Sequence, residues 1–208
     1  MKIVAASDLH IGYEGTNYAN IHRLLDYTVA NADKLILCGD IFDFWRCSLD
    51  DIRKYAPTFS VYNKLVEISN QMDVVIIKGN HDSTLNDSVF NISKPFEFQG
   101  IYYTHGWEFD VEQCIGSPFF NFITEYFPNI YKKFFKTPFE VQAKSDVYNT
   151  QIKAIDMVAK RYAEQYDYLV MGHTHYPEID GKLVNCGDLV DSSTYIEIND
   201  GIPKLVML

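Results

Sequence analysis

The chain has 208 residues, enough for one domain with a buried core, and 47% of them are hydrophobic. The formal net charge of −10 argues against a nucleic-acid partner, because binding by phosphate neutralisation needs a surplus of Lys and Arg on one face. No signal-peptide pattern precedes the first apolar run, and no run approaches the roughly 18 residues of a membrane-spanning helix. The four cysteines are scattered, so we expect reduced thiols in a cytoplasmic protein. From the length of the chain we expect a single domain formed by residues 1–208.

Short apolar runs followed by polar residues predict five buried strands. They lie at residues 2–6, 35–38, 74–77, 101–103 and 168–171. Apolar side chains at helical spacing predict amphipathic helices at residues 20–32 and 58–70. The alternation of strands and helices indicates an α/β fold. The buried face of the first helix is predicted to contain Ile21, Leu24, Leu25, Thr28 and Val29.

The C-terminal part, residues 183–208, contains short strands separated by turn sequences. Its strongest turn signal is Asp200-Gly201, because Asp-Gly pairs are favoured in two-residue hairpin loops. We predict that these strands form a meander that extends or faces the parallel strands, which makes the sheet mixed.

A helical insert is predicted at about residues 107–166, with a long helix at 141–165. Its first half combines many aromatic side chains with three lysines. One interpretation is a helical hairpin that buries these rings. The other is a lid or groove for an apolar substrate, which would also allow peripheral contact with a membrane. The substrate-binding candidates of such a groove are Tyr131, Lys132, Lys133, Phe135 and Lys136.

Side chains that can bind metals follow each of the five predicted strands. A hydrolytic site with two metal ions needs a shared ligand, further ligands on each ion and a water acidic enough to attack. Mixed imidazole and carboxylate ligands suit manganese, iron, zinc or cobalt better than magnesium or calcium. One Asp-x-His motif alone would be weak evidence, but five motifs at successive strand ends indicate such a site. The candidate ligands are Asp8, His10, Asp40, Asn80, His105, His173 and His175.

The succession Asp8-Leu9-His10, Gly39-Asp40, Gly79-Asn80-His81-Asp82, His105 and Gly172-His173-Thr174-His175 resembles the calcineurin-like metallophosphoesterase superfamily. The resemblance implies a four-layer α/β/β/α sandwich of two mixed β-sheets flanked by helices. It also implies two divalent metal ions, with Mn favoured and Fe, Zn, Co or Ni as alternatives. One ion would be bound by Asp8, His10, Asp40 and His175, and the other by Asp40, Asn80, His105 and His173. His81 would then act beside the leaving oxygen, as the acid or as the transition-state stabiliser.

Within this superfamily, the Asp-Phe-Trp sequence after Asp40, the His105-Gly106 pair and the helical insert resemble the UDP-2,3-diacylglucosamine diphosphatases. The chain departs from that branch at His81, because it has Gly-Asn-His-Asp where Gly-Asn-Arg-Asp is usual. The substrate implied is a phosphorylated small molecule or a lipid-linked compound, and the most specific candidate is a diphosphate similar to a UDP-sugar lipid.

Further site candidates flank these motifs. Asp43 and Asp82 are expected to orient an imidazole or amide ligand, with a helix N-cap as the alternative. Asp82 is grouped with His81 as a catalytic candidate. Trp45 and Arg46 could stack on or clamp a nucleotide, and core packing and a surface ion pair are the alternatives. Asp188 follows a Cys-Gly pair like the one before Asp40, but we expect a turn residue without a metal there.

Together these features predict a metal-dependent phosphohydrolase that cleaves a phosphodiester or diphosphate bond with a metal-bound hydroxide. The alternatives are a phosphomonoesterase or nuclease of the same superfamily, or a catalytically silent metal-binding scaffold. His81 favours an enzyme, because a scaffold does not need a residue that serves the leaving group.

Overall fold

The computed structural model describes the backbone of residues 1–110 and 146–208, and the side chains of these residues except 146–149. Within these ranges two mixed β-sheets pack face to face, and helices cover their outer faces. The predicted α/β/β/α sandwich is therefore confirmed.

The first sheet is built around parallel strands that are buried on both faces. Its spatial order is β11 (Ile202–Met207), β10 (Thr194–Asn199), β1 (Lys2–Ala6), β2 (Lys34–Cys38), β3 (Asp73–Ile77) and β4 (Asn91–Ser93). Strands β1 to β4 are parallel, whereas β10 is antiparallel to both β1 and β11. The nearly continuous apolar sequences of β1 to β3 are typical of such doubly covered strands.

The second sheet is shorter and also mixed. Its spatial order is β5 (Phe96–Phe98), β6 (Ile101–Tyr103), β7 (Tyr168–Met171), β9 (Leu183–Asn185) and β8 (Glu178–Asp180). The three central strands are parallel, and the two edge strands run antiparallel to their neighbours.

The prediction of one C-terminal meander is wrong. Strand β9 pairs in parallel with β7 in the second sheet, whereas β10 and β11 form a hairpin in the first sheet. The Asp200-Gly201 turn of that hairpin is confirmed, and both of its residues have positive φ angles, 50° and 81°. The chain passes from the second sheet to the first between β9 and β10. The residues of a turn do not indicate which sheet the next strand joins.

Three apolar layers hold the sandwich together. Residues of β1 to β3 alternate, so that Ile3 and Ala5 face the second sheet, while Val4 and Ala6 face the helices. Helices α1 (Tyr18–Asn31), α2 (Leu49–Lys54) and α3 (Ala56–Ser69) cover the first sheet. On α1 the predicted apolar face is correct except for Val29, which is 45% exposed.

Helix α4 (Asp146–Ala163) lies within the predicted helix at 141–165 and covers the second sheet. Its side chains Ile155, Ala159 and Ala163 pack against Leu169 and Met171 of β7. This part of the predicted insert therefore forms the outer layer of the sandwich. No helix within the described residues is long and apolar enough to cross a membrane.

Candidate metal centre

The candidate metal ligands follow strands of both sheets. Asp8, Asp40 and Asn80 come after β1, β2 and β3 of the first sheet. His105 comes after β6, and the loop that carries His173 comes after β7 of the second sheet. Because the parallel strands of both sheets end at this side of the molecule, the sequence-predicted ligands converge there, as ligand sites do in open α/β sheets.

Backbone hydrogen bonds join the loops at this edge. The amide of Asp8 donates to the carbonyl of Gly39, and the amide of His10 donates to the carbonyl of Asp40, each at 3.0 Å. Between the sheets, the amide of His173 donates to Asp8 Oδ2 at 2.9 Å. The loops are therefore positioned by the backbone as well as by their side chains.

Most of the candidate ligands have an unusual backbone conformation. A non-glycine residue with positive φ is uncommon and costs about 1–3 kcal/mol when it is strained. Such a conformation persists where the surrounding structure enforces it, and it is frequent at functional sites. Positive φ angles of 46° to 70° occur at Asp8, His10, Asp40, His173 and His175.

Glycines make room for this packing. A Cβ atom at Gly79 would overlap both the side chain and the backbone of Asp40, and one at Gly39 would overlap the His105 ring. Gly39 also has a φ of 87°, which side chains rarely tolerate. These two positions therefore require glycine for steric reasons, independently of any ligand.

One cluster consists of Asp8, His10 and His175. The Nε2 atoms of the two imidazoles are 3.3 Å apart, and His175 Nε2 is 3.2 Å from Asp8 Oδ1. Asp8 Oδ1 is buried and accepts no hydrogen bond from the residues that the structure describes. Imidazole nitrogens and a carboxylate oxygen thus face one another at a separation that a shared cation would fit.

Asp40 belongs to two further clusters, one with His10 and His81 and one with Asp8 and His105. The Oδ2 atom of Asp40 is 3.3 Å from His105 Nε2 and 3.9 Å from the Nε2 atoms of His10 and His81. Its other oxygen accepts a hydrogen bond from the His81 amide at 2.8 Å. Asp40 is therefore in the position expected of a ligand shared by two ions.

Asn80 and His173 flank His105. Asn80 Oδ1 is 3.1 Å from His105 Nε2, and the rings of His105 and His173 lie 5.1 Å apart. His173 Nε2 is 3.1 Å from a carboxylate oxygen of Asp110. Asp110 was not a candidate in the sequence, because it lies in the loop after the short helix Trp107–Phe109, away from a strand end.

Asp43 lies behind the imidazoles, as expected of an orienting residue. It is fully buried, and its two oxygens are 3.1 Å from His81 Nδ1 and 3.6 Å from His10 Nδ1. Arg46 forms an ion pair with the same carboxylate. The Trp45 ring stacks on His81 with the ring centroids 3.8 Å apart. The observed contacts of Trp45 and Arg46 therefore position site residues, and their predicted role in substrate binding stays a prediction.

Asp82 interacts with the backbone. Its carboxylate accepts hydrogen bonds from the amides of Gly79 at 2.6 Å and of Ile41 at 2.8 Å. It thereby joins the loops that contain Asp40 and Asn80. Burial and the Asp40 charge raise the pKa of Asp82 to about 6.

Two further groups contact the imidazoles on the side away from the clusters. The carbonyl oxygen of Cys38 lies 2.8 Å from His105 Nδ1, and a carboxylate oxygen of Asp188 lies 3.8 Å from His175 Nδ1. Asp188 also accepts the amides of Val190 and Ser192, so the prediction of a turn residue is confirmed. Contacts of this kind orient the ring of a histidine ligand.

The charges of the site stabilise one another. Burial raises the pKa of Asp8, but the charge of His175 and the close imidazoles of His10 and His175 outweigh it and hold this pKa well below its usual range. Burial likewise opposes the charged forms of His10 and His105, yet the neighbouring aspartates raise the pKa of both to about 10. The centre is thus a buried array of carboxylates and imidazoles that stabilise each other's charges.

The donor set fits divalent transition metals. Three groups of acidic and imidazole side chains place one ligand atom each within 4.8 Å of one another. Nitrogen and oxygen ligands of this type suit Mn, Fe, Co, Ni and Zn. The remaining sequence-predicted candidates, Tyr131, Lys132, Lys133, Phe135 and Lys136, lie outside the described residues.

Comparison with solved structures gives a similar fold in a bacterial phosphoesterase. The chain is similar to YfcE, a phosphoesterase from E. coli, with 18% identity and a TM-score of 0.51 over 100% of this chain and 93% of that one. A predicted phosphoesterase from Streptococcus pneumoniae TIGR4 has 17% identity and a TM-score of 0.40 over 99% and 97% of the two chains. A dimetal phosphatase from Danio rerio has 10% identity and a TM-score of 0.46 over 95% and 91%.

A search of curated proteins found no match. The family of calcineurin-like phosphoesterases matches residues 1–177, which include all of the candidate metal ligands. The chain therefore belongs to the calcineurin-like phosphoesterase family, whose members are metal-dependent phosphohydrolases.

Proposed function

We propose that this phosphohydrolase uses two metal ions to cleave a phosphodiester or diphosphate bond. The observation that carries the proposal is the position of Asp40, which belongs to two of the three clusters and is buried between them. Asp8, His10 and His175 would hold one ion with Asp40, and Asn80, His105 and His173 would hold the other. When bound, the ions would acidify the attacking water and neutralise charge on the phosphoryl oxygens.

The residues of the chain would carry the remaining steps. Hydrolysis joins the oxygen of water to phosphorus, breaks the bond to the leaving oxygen and transfers a proton to that oxygen. His81 is our candidate for the proton donor, because its Nε2 faces Asp40 while its Nδ1 is held by Asp43. The Trp45 ring covers one face of His81 and limits its rotation. Asp82 would position the loops of Asp40 and Asn80 without contacting substrate.

The experiment is a substrate screen with purified, manganese-loaded protein. The substrates are bis(p-nitrophenyl) phosphate, p-nitrophenyl phosphate, single-stranded DNA and nucleoside diphosphate conjugates. We expect turnover of the diester and of the conjugates. Exclusive turnover of p-nitrophenyl phosphate would make the chain a monoesterase, and turnover of DNA would make it a nuclease. A metal-loaded protein that cleaves none of them would support a scaffold.

A lipid-linked diphosphate is the most specific version of the proposal. It rests on the aromatic residues and lysines of the insert, and the interpretation of these residues as a substrate groove stays a prediction. Manganese as the bound metal and a cytoplasmic location also stay predictions. Phe135→Ala and Lys133→Ala should reduce kcat/KM for a large amphipathic diphosphate and leave that for bis(p-nitrophenyl) phosphate unchanged. Equal losses on both substrates would contradict the groove and leave a structural hairpin.

A further inference from the structure

The loop after β6 reaches the histidine loop that follows β7. It begins with His105, continues into the short helix Trp107–Phe109 and ends, among the described residues, at Asp110. There the Oδ2 atom of Asp110 lies 3.1 Å from Nε2 of His173. This 105–110 segment therefore contains one of the candidate metal ligands and contacts another.

Hydrogen bonds within the 105–110 segment hold Asp110 in place. The Phe109 amide donates to the Gly106 carbonyl, and the Asp110 amide donates to the Trp107 carbonyl, each at 3.0 Å. These bonds close the short helix at its C-terminal end. The position of Asp110 is thus set by a closed turn of the backbone as well as by its contact with the histidine.

The same segment is anchored by its side chains. The Phe109 ring lies 5.6 Å from the Tyr162 ring of α4, and the two residues pack in the outer apolar layer. The Glu108 carboxylate accepts a hydrogen bond from the Gly106 amide at 3.1 Å. A Cβ atom at Gly106 would lie 3.4 Å from the Cβ of His173, so the segment passes directly beside this histidine.

The contact with Asp110 determines which nitrogen of His173 is available to a metal. An ionised carboxylate only accepts hydrogen bonds, so Nε2 of His173 donates to it. A neutral imidazole then keeps its free lone pair on Nδ1. The other histidine ligands have the reverse arrangement, because their Nδ1 atoms lie near outer partners and their Nε2 atoms lie in the clusters. These ligands are His10, His105 and His175.

Asp110 is the most exposed of the three carboxylates that lie beside ligand histidines from outside the clusters. Its side chain is 18% exposed, whereas those of Asp43 and Asp188 are at most 2% exposed. The orientation of His173 therefore depends on a carboxylate of a surface loop. The other two carboxylates act from the buried interior.

We propose that Asp110 is a positioning residue for the second ion, the one that Asn80, His105 and His173 would hold with Asp40. Its carboxylate keeps the His173 imidazole in the tautomer whose Nδ1 can bind the ion, and it is not itself a ligand. This role rests on the proposed function, because it concerns the second of two ions. Asp110 belongs to neither the sequence motifs nor the three clusters found among the described residues.

Calorimetric titration of the metal-free protein with manganese tests this role without any substrate. The wild-type protein should bind two ions. Asp110→Ala should weaken the binding of one ion about 10- to 100-fold, the usual effect of removing an orienting partner, and leave the other unchanged. Asp110→Asn should lose less, because an amide oxygen still accepts the Nε2 proton but lacks the charge. The control Asp50→Asn removes an exposed charge on α2 and should bind both ions as the wild type does.

Kinetics distinguish positioning from a direct role in the reaction. At low manganese Asp110→Ala should hydrolyse bis(p-nitrophenyl) phosphate more slowly than the wild type. Saturating manganese should restore kcat, because every ligand is still present. A kcat that stays low with two ions bound would overturn the proposal. Equal weakening of both ions, with a lower Tm of the metal-free variant, would overturn it as well, since that result indicates a structural role.

Nuclear magnetic resonance of the zinc-loaded protein with ¹⁵N-labelled histidine reads the tautomers directly, because Zn²⁺ has a filled d shell. We expect His173 to carry its proton on Nε2, and His10, His105 and His175 to carry theirs on Nδ1. A proton on Nδ1 of His173 would contradict the proposal, because Nε2 would then be the nitrogen that binds the metal.

The titration also separates this role from the proposed function. A wild-type protein that binds fewer than two ions would refute the two-ion function and the role of Asp110 with it. Two ions of unchanged affinity in Asp110→Ala, with normal hydrolysis of bis(p-nitrophenyl) phosphate, would refute the positioning role alone and leave the proposed function intact.

Discussion

Asp40 lies in the middle of the candidate metal centre, and its neighbours explain why a substitution should be severe. It is in contact with His105 on one side and lies near His10 and His81 on the other. Its backbone has a φ of 53°, and the Gly79 Cα packs so closely that no Cβ fits there. The carboxylate is thus held in one place by both loops.

Asp40→Ala should abolish phosphodiester hydrolysis and reduce the bound metal to one ion or none, because the loss of a shared ligand leaves both ions incompletely coordinated. The measurements are elemental analysis and the rate on bis(p-nitrophenyl) phosphate. Asp50→Ala, at an exposed position on α2, is the control and should keep both. Retention of two ions by Asp40→Ala would show that Asp40 does not bridge them.

His81→Ala should retain its metals and lower kcat by roughly 10²–10⁴, the usual contribution of a positioned acid. The physical reason is that Asp43 and Trp45 hold the His81 ring in place, and that His81 belongs to one cluster with Asp40 and His10 but not to the clusters that contain Asp8. The control is His22→Ala on α1, whose side chain contacts Ser60 and belongs to none of the three candidate metal clusters. If His81→Ala loses as much metal as Asp40→Ala, then His81 is a ligand.

The sequence predicts much of the site at this scale. A polar residue after a buried strand can be recognised without a structure, and the candidates found in this way converge. Residues that contact the candidate ligands from other loops are harder to recognise in the sequence. The contact of Asp110 with His173, and the stacking of Trp45 on His81, depend on how loops fold over the strand ends.

Helix α1 shows how far periodicity alone can be trusted. Ile21, Leu24, Leu25 and Thr28 are buried, as their spacing predicts. Val29 lies four residues after the buried Leu25, about 40° around the helix, and so borders the apolar face, yet it is 45% exposed. Periodicity therefore predicts the buried face of a helix but not whether a residue at the edge of that face is covered.

Helix α4 carries a carboxyl group whose titration should affect stability. The pKa of Asp156 is raised to about 6 by burial and by Glu178 and Asp180, while Lys160 partly offsets the shift. The folded protein thus holds this proton more tightly than the unfolded chain, for which the usual pKa is about 3.9. The free energy of unfolding should accordingly decrease as the pH rises from about 4 to about 6.

Asp156→Asn removes this titration and should raise the free energy of unfolding at pH 7.5 by about 1 kcal/mol, after allowance for solvent screening. Below about pH 3 the gain should vanish, because the carboxyl is then protonated in both states. Urea denaturation at the two pH values measures the difference. Asp50→Asn, at an exposed position on α2 that does not affect the pKa of Asp156, should give no such gain. A gain of equal size at both pH values would contradict the electrostatic explanation.

At the scale of the whole molecule, the candidate metal centre joins the two sheets. Asp8, Asp40 and Asn80 belong to loops of the first sheet, and His105, His173 and His175 to loops of the second. An apolar layer already packs between the two sheets. At the metal centre, the hydrogen bond from the His173 amide to Asp8 joins the loops of the two sheets directly. Metal binding would add further links.

The sequence indicates the layers of the molecule but not the order of its strands. Apolar runs and crossover helices predict parallel strands. The pairing of β10 with β1 and of β9 with β7 depends on contacts between segments that are far apart in sequence. Short strands of similar composition can occupy either sheet, so only the folded structure distinguishes them.

Since ligands from both sheets would share the ions, metal binding should stabilise the whole fold. A ligand at one hundred times its Kd adds about 2.7 kcal/mol to the free energy of unfolding. For a domain of this size that corresponds to a rise in Tm of roughly 5–10 °C. Calorimetric scans in EDTA and at increasing free manganese should therefore show a Tm that increases with metal concentration.

Asp40→Ala is the matched control for this measurement, because it removes the shared ligand and leaves the apolar layers intact. Its Tm should depend little on manganese. The wild-type Tm should also return to the EDTA value after chelation, as expected of reversible linkage. A wild-type protein that holds two ions by elemental analysis, yet melts at the same temperature with and without them, would show that the ions do not join the sheets. Equal metal dependence in Asp40→Ala would place the stabilising ion outside this centre.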